Sequence, residues 1–233
     1  MDEYLSEKEQ IQQIRNWWGE NGAYIIAGLV IGVMGLAGWN YWQSFKTSRA
    51  ENASVEYKAL VAAADVGDAN VAGGYLETLL ADYSMTPYLA QGRLMMARLA
   101  AEQNDLNSAS EQLRAAIVET KDKELANVAR TRLARVQLAT GDTEGALDTL
   151  ELSNAGVFIA RFHELRGDVF VHRGDMKSAR EEYTLALTTA TPGTVNTQDV
   201  QIKMDALAVA TDEAADDEEK PAEQPVGEDE ADS

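Results

Sequence analysis

The sequence predicts an all-α protein: one membrane-spanning helix near the N-terminus, a stack of helical repeats, and a disordered acidic C-terminal tail. Three observations lead there. Residues 21–45 form a run of 25 without charge, between Glu20 and Lys46. Residues 50–210 are rich in Ala and Leu at helical spacing, broken only by Pro87 and Pro192. Four Gly-Asp or Asn-Asp pairs recur through that region at near-constant spacing. The predicted organisation is an N-terminal segment over residues 1–20, a spanning helix over 21–45, a repeat domain over 46–210 and a tail over 211–233.

Composition narrows the functional classes. The 233 residues include no cysteine and carry a formal net charge of −19. Without cysteine there is no disulfide framework, thiolate metal site or thiol nucleophile. The negative charge argues against nucleic acid as a partner, because phosphate binding needs a basic surface.

The uncharged run comes first. Its centre, Tyr24 to Trp39, is apolar and glycine-rich. Trp17 and Trp18 precede it; Trp39, Tyr41 and Trp42 close it. A helix from Trp18 to Trp39 is about 31 Å long at ~1.5 Å per residue. That matches a hydrocarbon core of ~30 Å and puts both aromatic groups at headgroup level. A buried core helix is the weaker reading, because Gly22, Gly28, Gly32, Gly35 and Gly38 would each cost it roughly 1 kcal/mol relative to Ala. A cleaved signal peptide fits poorly too, since the start is acidic and bulky aromatics fill the exit. Orientation stays open on these grounds: Lys8 and Arg15 before the span are balanced by Lys46, Arg49 and Lys58 after it. Gly28, Gly32 and Gly35 share nearly one face and form a strip that would admit another helix closely. Incidental glycine is the alternative.

The repeats follow. Gly67-Asp68, Asn104-Asp105, Gly141-Asp142 and Gly174-Asp175 are spaced 37, 37 and 33 residues apart. Five residues after each first member stands Ala72, Ala109, Ala146 or Ala179. Four further on come Leu76, Leu113, Leu150 and Tyr183; seven before come Leu60, Ala97, Ala134 and Gly167. The pair ends one helix and turns the chain; the alanine lets the next helix cross close; the larger side chain fills the groove. This register fits the tetratricopeptide repeat, a helix–turn–helix unit of ~34 residues that stacks on its neighbours. A closing helix over Thr197 to Val209 would cover the exposed end. The tail then carries eleven acidic residues against Lys220, a net −10, too polar to bury a core.

Little points to catalysis. His163 and His172 lack the i, i+4 spacing of a metal pair, and no third ligand is placed by the sequence. There is no nucleophile elbow, phosphate loop or calcium loop. The expectation is a non-enzyme without cofactor or metal. The surface left for function is the face lined by the first helix of each unit. The register puts Leu94 and Arg98 there in the second unit, Thr131, Arg135 and Leu138 in the third, and Arg161, Glu164, Asp168 and His172 in the fourth. Arg98 and Arg135 hold equivalent positions, and arginine offers a planar donor fork to a carboxylate or a peptide backbone. The structural alternative is ion pairing within the stack, such as Arg135 with Asp168.

Several stretches taken in order resemble the YfgM family of ancillary Sec translocon subunits. They are E-N-G at Glu20 to Gly22, G-W-N-Y-W at Gly38 to Trp42, R-L-A-R-V-Q-L at Arg132 to Leu138, L-R-G-D at Leu165 to Asp168, and Q-I-K-M at Gln201 to Met204. The resemblance covers roughly residues 1–209; the acidic tail departs from it. It implies a bacterial inner-membrane protein with a cytoplasmic N-terminus and a periplasmic repeat domain. It also implies association with the SecYEG channel, with the chaperone PpiD and with newly translocated proteins. The competing readings are a regulatory membrane protein whose repeats bind a signalling factor and a scaffold for envelope assembly.

Overall fold

The computed structural model describes residues 7–218, and side-chain surroundings for residues 9–207. The chain separates into two units, Met1–Val55 and Glu56–Ser233. Among the described residues every regular element is helical.

The first unit is helix α1, Glu7–Asp65, up to residue 55. It contains an 18-residue window of mean hydropathy 1.8, of which only 6% is buried. Leu29, Ile31 and Leu36 are each more than 65% exposed. Apolar side chains left outside a core need a non-aqueous surrounding, and this helix is long and apolar enough to cross a membrane. Its exit end carries two cation–π contacts, Lys46 over the Trp42 ring at 5.3 Å and Arg49 over Phe45 at 5.5 Å. Aromatic rings beside cations suit a headgroup region, where one side is apolar and the other wet.

The second unit is built from helix pairs. The end of α1, residues 56–65, precedes α2 (Ala69–Tyr83). Then α3 (Pro87–Glu102) pairs with α4 (Leu106–Glu119), α5 (Lys123–Ala139) with α6 (Thr143–Thr149), and α7 (Ile159–His172) with α8 (Met176–Thr189). Two short 3-10 turns, Leu152–Asn154 and Gly156–Phe158, separate α6 from α7. The last helix, α9, runs Thr197–Glu218 and packs on α8. It continues past Val209 through 211–218, helical where the sequence predicts the start of a disordered tail. The rest of that predicted tail, 219–233, lies outside the described residues, as do residues 1–6.

The four predicted turns have one geometry. Gly67, Asn104, Gly141 and Gly174 have φ of 80°, 61°, 81° and 77°, the left-handed region that ends helices. At each, the aspartate amide donates to the carbonyl five residues back: Asp68 to Ala63, Asp105 to Ala100, Asp142 to Gln137, Asp175 to Phe170. The preceding amide donates to the carbonyl three residues back, which completes a Schellman motif. The same aspartates then cap the following helix, accepting from the amides of Val71, Ser108, Gly145 and Ser178. Two residues thus stop one helix and start the next with their backbone groups satisfied.

Packing follows the register. Ala72, Ala109, Ala146 and Ala179 have no exposed surface. Leu60, Ala97, Ala134 and Gly167 meet the second helices from the other side, and all four are buried. Gly167 is a size exchange. A Cβ there would stand 2.4 Å from the Tyr183 ring, so the larger side chain at one register position requires none at the other. Phe162, fully buried, joins Ala134, Ala146, Leu150, Ala155, Leu165 and Val169 in the core between the third and fourth pairs.

Candidate functional site

The predicted partner-facing residues divide by surroundings. Leu94 and Thr131 are buried. Leu94 belongs to the core with Ala97, Leu113 and Leu133, and the Thr131 hydroxyl donates to the Val128 carbonyl at 2.8 Å. Both serve packing between helices, so they are corrected from surface to interior: they sit deeper in the helix crossing than the exposed Arg98 and Arg135. Leu138 is half-buried against the Phe162 core.

The charged positions carry the more informative pattern. Arg98 donates to Asp65 of the preceding unit and pairs with Glu102 at 3.5 Å. The hydrogen bond to Asp65 is the largest influence on its guanidinium and raises its pKa. Arg135, at the equivalent position one unit on, is exposed and has no ion pair among the described residues. The predicted alternative, Arg135 with Asp168, does not form. Asp168 is taken by Lys203 of α9, whose Nζ donates to both carboxylate oxygens at 2.8 Å, and by the Tyr183 hydroxyl at 2.7 Å.

Lys203 also donates to buried Glu164 at 3.0 Å, and Glu164 accepts from Arg161 on its other side. The fourth unit's expected surface residues Arg161, Glu164 and Asp168 are therefore tied together by the closing helix. Burial on its own lowers the Lys203 pKa; Asp168 and Glu164 outweigh it and hold the ammonium above its ordinary value. Burial, then Asp168, push the Tyr183 phenol well above its usual range. His172 stands exposed at the end of α7. His163, by contrast, is buried and bonded through Nδ1 to Glu182 at 2.6 Å, and Glu182 also accepts from Arg166 at 2.8 Å. No group of three or more His, Asp or Glu residues is placed to hold a metal among the described residues.

Lys203 is the residue that motif reading misses. Its signal is the lone cation of Q-I-K-M in a closing helix otherwise apolar on its inner side. Gly28, Gly32 and Gly35 meet nothing within 4 Å of a Cβ position, so their strip on α1 faces outward and unfilled.

Helix pairs with this turn and this packing register, in a chain that also carries one helix apolar enough to cross a membrane, define a tetratricopeptide-type repeat protein. Residues 15–209 match the tetratricopeptide repeat-like domain family. The chain belongs to the family of ancillary SecYEG translocon subunits. It is 31% identical over 182 residues to the ancillary SecYEG translocon subunit of Haemophilus influenzae, covering 78% of this chain and 89% of that one. The Escherichia coli K12 protein of the same description is 31% identical over 183 residues, 78% of this chain and 88% of the relative. That of Aggregatibacter actinomycetemcomitans is 29% identical over 203 residues, 87% and 98% respectively.

Proposed function

We propose that this chain is a single-span inner-membrane ancillary subunit of the Sec translocon, with residues 1–20 cytoplasmic and the repeats periplasmic. In this role it binds and does not turn over substrate. The observation that carries the reading is the 31% identity, over most of both chains, to proteins described as ancillary SecYEG translocon subunits. The outward strip at Gly28, Gly32 and Gly35 is where α1 would meet a span of the channel, since close helix approach in lipid uses small residues. The repeats act as adaptor and chaperone, holding a membrane-anchored partner such as PpiD or a newly translocated chain. Tethering raises the local concentration of whatever they bind, and holding an unfolded segment requires binding alone. Arg135, Arg98 and His172 are the exposed positions through which the first helices would contact it.

The test places a photocrosslinking amino acid at Gly32 and, separately, at Arg135 in the full chain in cells. Crosslinks from Gly32 to channel subunits, and from Arg135 to a periplasmic chaperone or a secreted client, are expected. Capture from Gly32 of abundant membrane proteins with no channel enrichment overturns the translocon assignment. Reaction of a cysteine introduced at Asn104 with a reagent confined to the cytoplasm overturns the topology.

A further inference from the structure

The loops that join one helix pair to the next form a cleft on the edge of the stack. Two depressions adjoin there and share Thr120, Lys121 and Asp122. One, of about 340 Å³, runs from that loop to the 3-10 segment at Asn154 and Gly156, with Lys121, Lys123 and Arg130 on its walls. The other, of about 260 Å³, is lined by Met85, Pro87 and Ala90, and by Glu119, whose carboxylate Arg93 already holds. Together they fall within the size of ligand clefts, with a cationic compartment beside an apolar one.

Arg130 sets this surface apart. Five lysine and arginine side chains are half-buried among the described residues: Arg93, Arg130, Arg161, Arg166 and Lys203. Four of them meet a carboxylate: Arg93 meets Glu119, Arg161 meets Glu164, Arg166 meets Glu182, and Lys203 meets Glu164 and Asp168. Among the described residues Arg130 has only the neutral amide oxygen of Asn127, at 2.9 Å. Asn127 is itself 3% exposed and fixed, because its amide donates to the carbonyls of Asn154 and Ala155 at 3.0 Å each. A buried amide thus clamps the 3-10 segment to α5 and aims a guanidinium along the cleft wall. Removing a guanidinium from water is costly unless an anion answers it. In a chain of net charge −19, leaving it unanswered is notable. Asp122, on the same wall, makes no ion pair with it among the described residues; its Oδ1 caps α5 by accepting from the amides of Glu124 and Leu125.

We propose that this edge binds an extended acidic segment of a partner polypeptide, one carboxylate seated on Arg130 and flanked by Lys121 and Lys123, with an apolar side chain in the neighbouring depression. The arginine fork supplies bidentate recognition and the lysines supply attraction at a distance. A polypeptide fits better than a small anion because the apolar compartment continues the cationic one. The site is distinct from the face of the first helices and does not depend on which membrane complex the protein joins.

The experiment titrates the purified full chain, in detergent micelles, into a labelled peptide of glutamate and leucine and into its glutamine counterpart. Saturable binding of the acidic peptide is expected, weakening with salt. Arg130→Gln, which keeps an amide donor for Asn127, should weaken it about tenfold, the worth of one charge-assisted contact, with the melting temperature unchanged. Arg180→Gln, an exposed cation on α8, should leave it unchanged. If Arg130→Gln fails to fold, Lys121→Gln with Lys123→Gln carries the same test. Equal binding by the variants or by the glutamine peptide overturns the proposal. So does displacement by inorganic phosphate as effective as by the peptide. Binding seen only after deletion of residues 219–233 makes the chain's own acidic end the occupant and overturns the partner assignment.

Discussion

The third helix pair, α5 with α6, and the fourth, α7 with α8, turn on the same hydrogen bonds, yet α6 has 7 residues and α8 has 14. The shortened helix is made good by the two 3-10 turns, which bring Ala155 and Phe158 onto the Phe162 core. Charge divides the two pairs as well. Arg135 in the third stands open, while Asp168, at the same register position in the fourth, is sealed by Lys203. The turn is a local device that tolerates change on either side. What the faces carry is decided by neighbours distant in sequence.

The comparison breaks most completely at the core the two pairs share. Phe162→Ala should cost about 3–5 kcal/mol, and its cavity should loosen α5 and α7 together in hydrogen exchange. Loss confined to α7 and α8 would show that the pairs fold independently. Next comes the size exchange. Gly167→Ala drives a methyl into Tyr183 and should cost about 1–3 kcal/mol in denaturant unfolding. The matched change Ala134→Gly in the third pair should cost about 1 kcal/mol, the ordinary helix penalty.

The charged positions give the third test. Lys203→Met leaves Glu164 and Asp168 facing each other and should cost about 1–2 kcal/mol, a discounted figure because the ammonium still meets solvent. Arg135→Gln should change stability by less than ~0.5 kcal/mol. The smallest effects are those of pH. The Lys203 pKa is raised above its ordinary 10.5, so its contribution holds through neutrality and is lost as pH rises through the folded value. The caps Asp105 and Asp175 have pKa values lowered from 3.8, chiefly by the Ser108 and Ser178 hydroxyls, so their contribution is lost as pH falls below 3.8 and through the folded value. Melting temperature against pH should therefore decline at both extremes, and Lys203→Met should flatten the alkaline side alone.

The turns were legible in sequence because Gly-Asp chemistry is local: the φ preference, the cap and the carbonyl closure lie within a few residues of one another. The alanine and leucine positions followed from those turns by helical spacing. The shortened α6 was not legible, because the spacing of 33 across it is an ordinary repeat length: the two 3-10 turns make up most of the missing helix. Surroundings set by the fold were not legible. Leu94 and Thr131 share a helix face with Arg98 and Arg135 but lie deeper in the crossing, and periodicity does not resolve that depth. The partner of Asp168 is 35 residues away on a helix whose docking no motif announces. The cleft at Arg130 depends on a buried asparagine that reads as an ordinary polar residue in a helix.

Because each Gly-Asp turn closes its own backbone hydrogen bonds, the two helices of a pair stay joined by a satisfied turn when that pair parts from its neighbour. What resists separation between pairs is side-chain packing together with bonds such as those of the Asn127 amide to the carbonyls of Asn154 and Ala155, and it is unevenly placed along the stack. The fourth pair is fastened by α9 through one lysine and a narrow apolar strip of Val200 and Leu207. The repeat domain is in this sense a row of hinged leaves, latched by α9. Pulled or proteolysed, it should open there first and give way one leaf at a time.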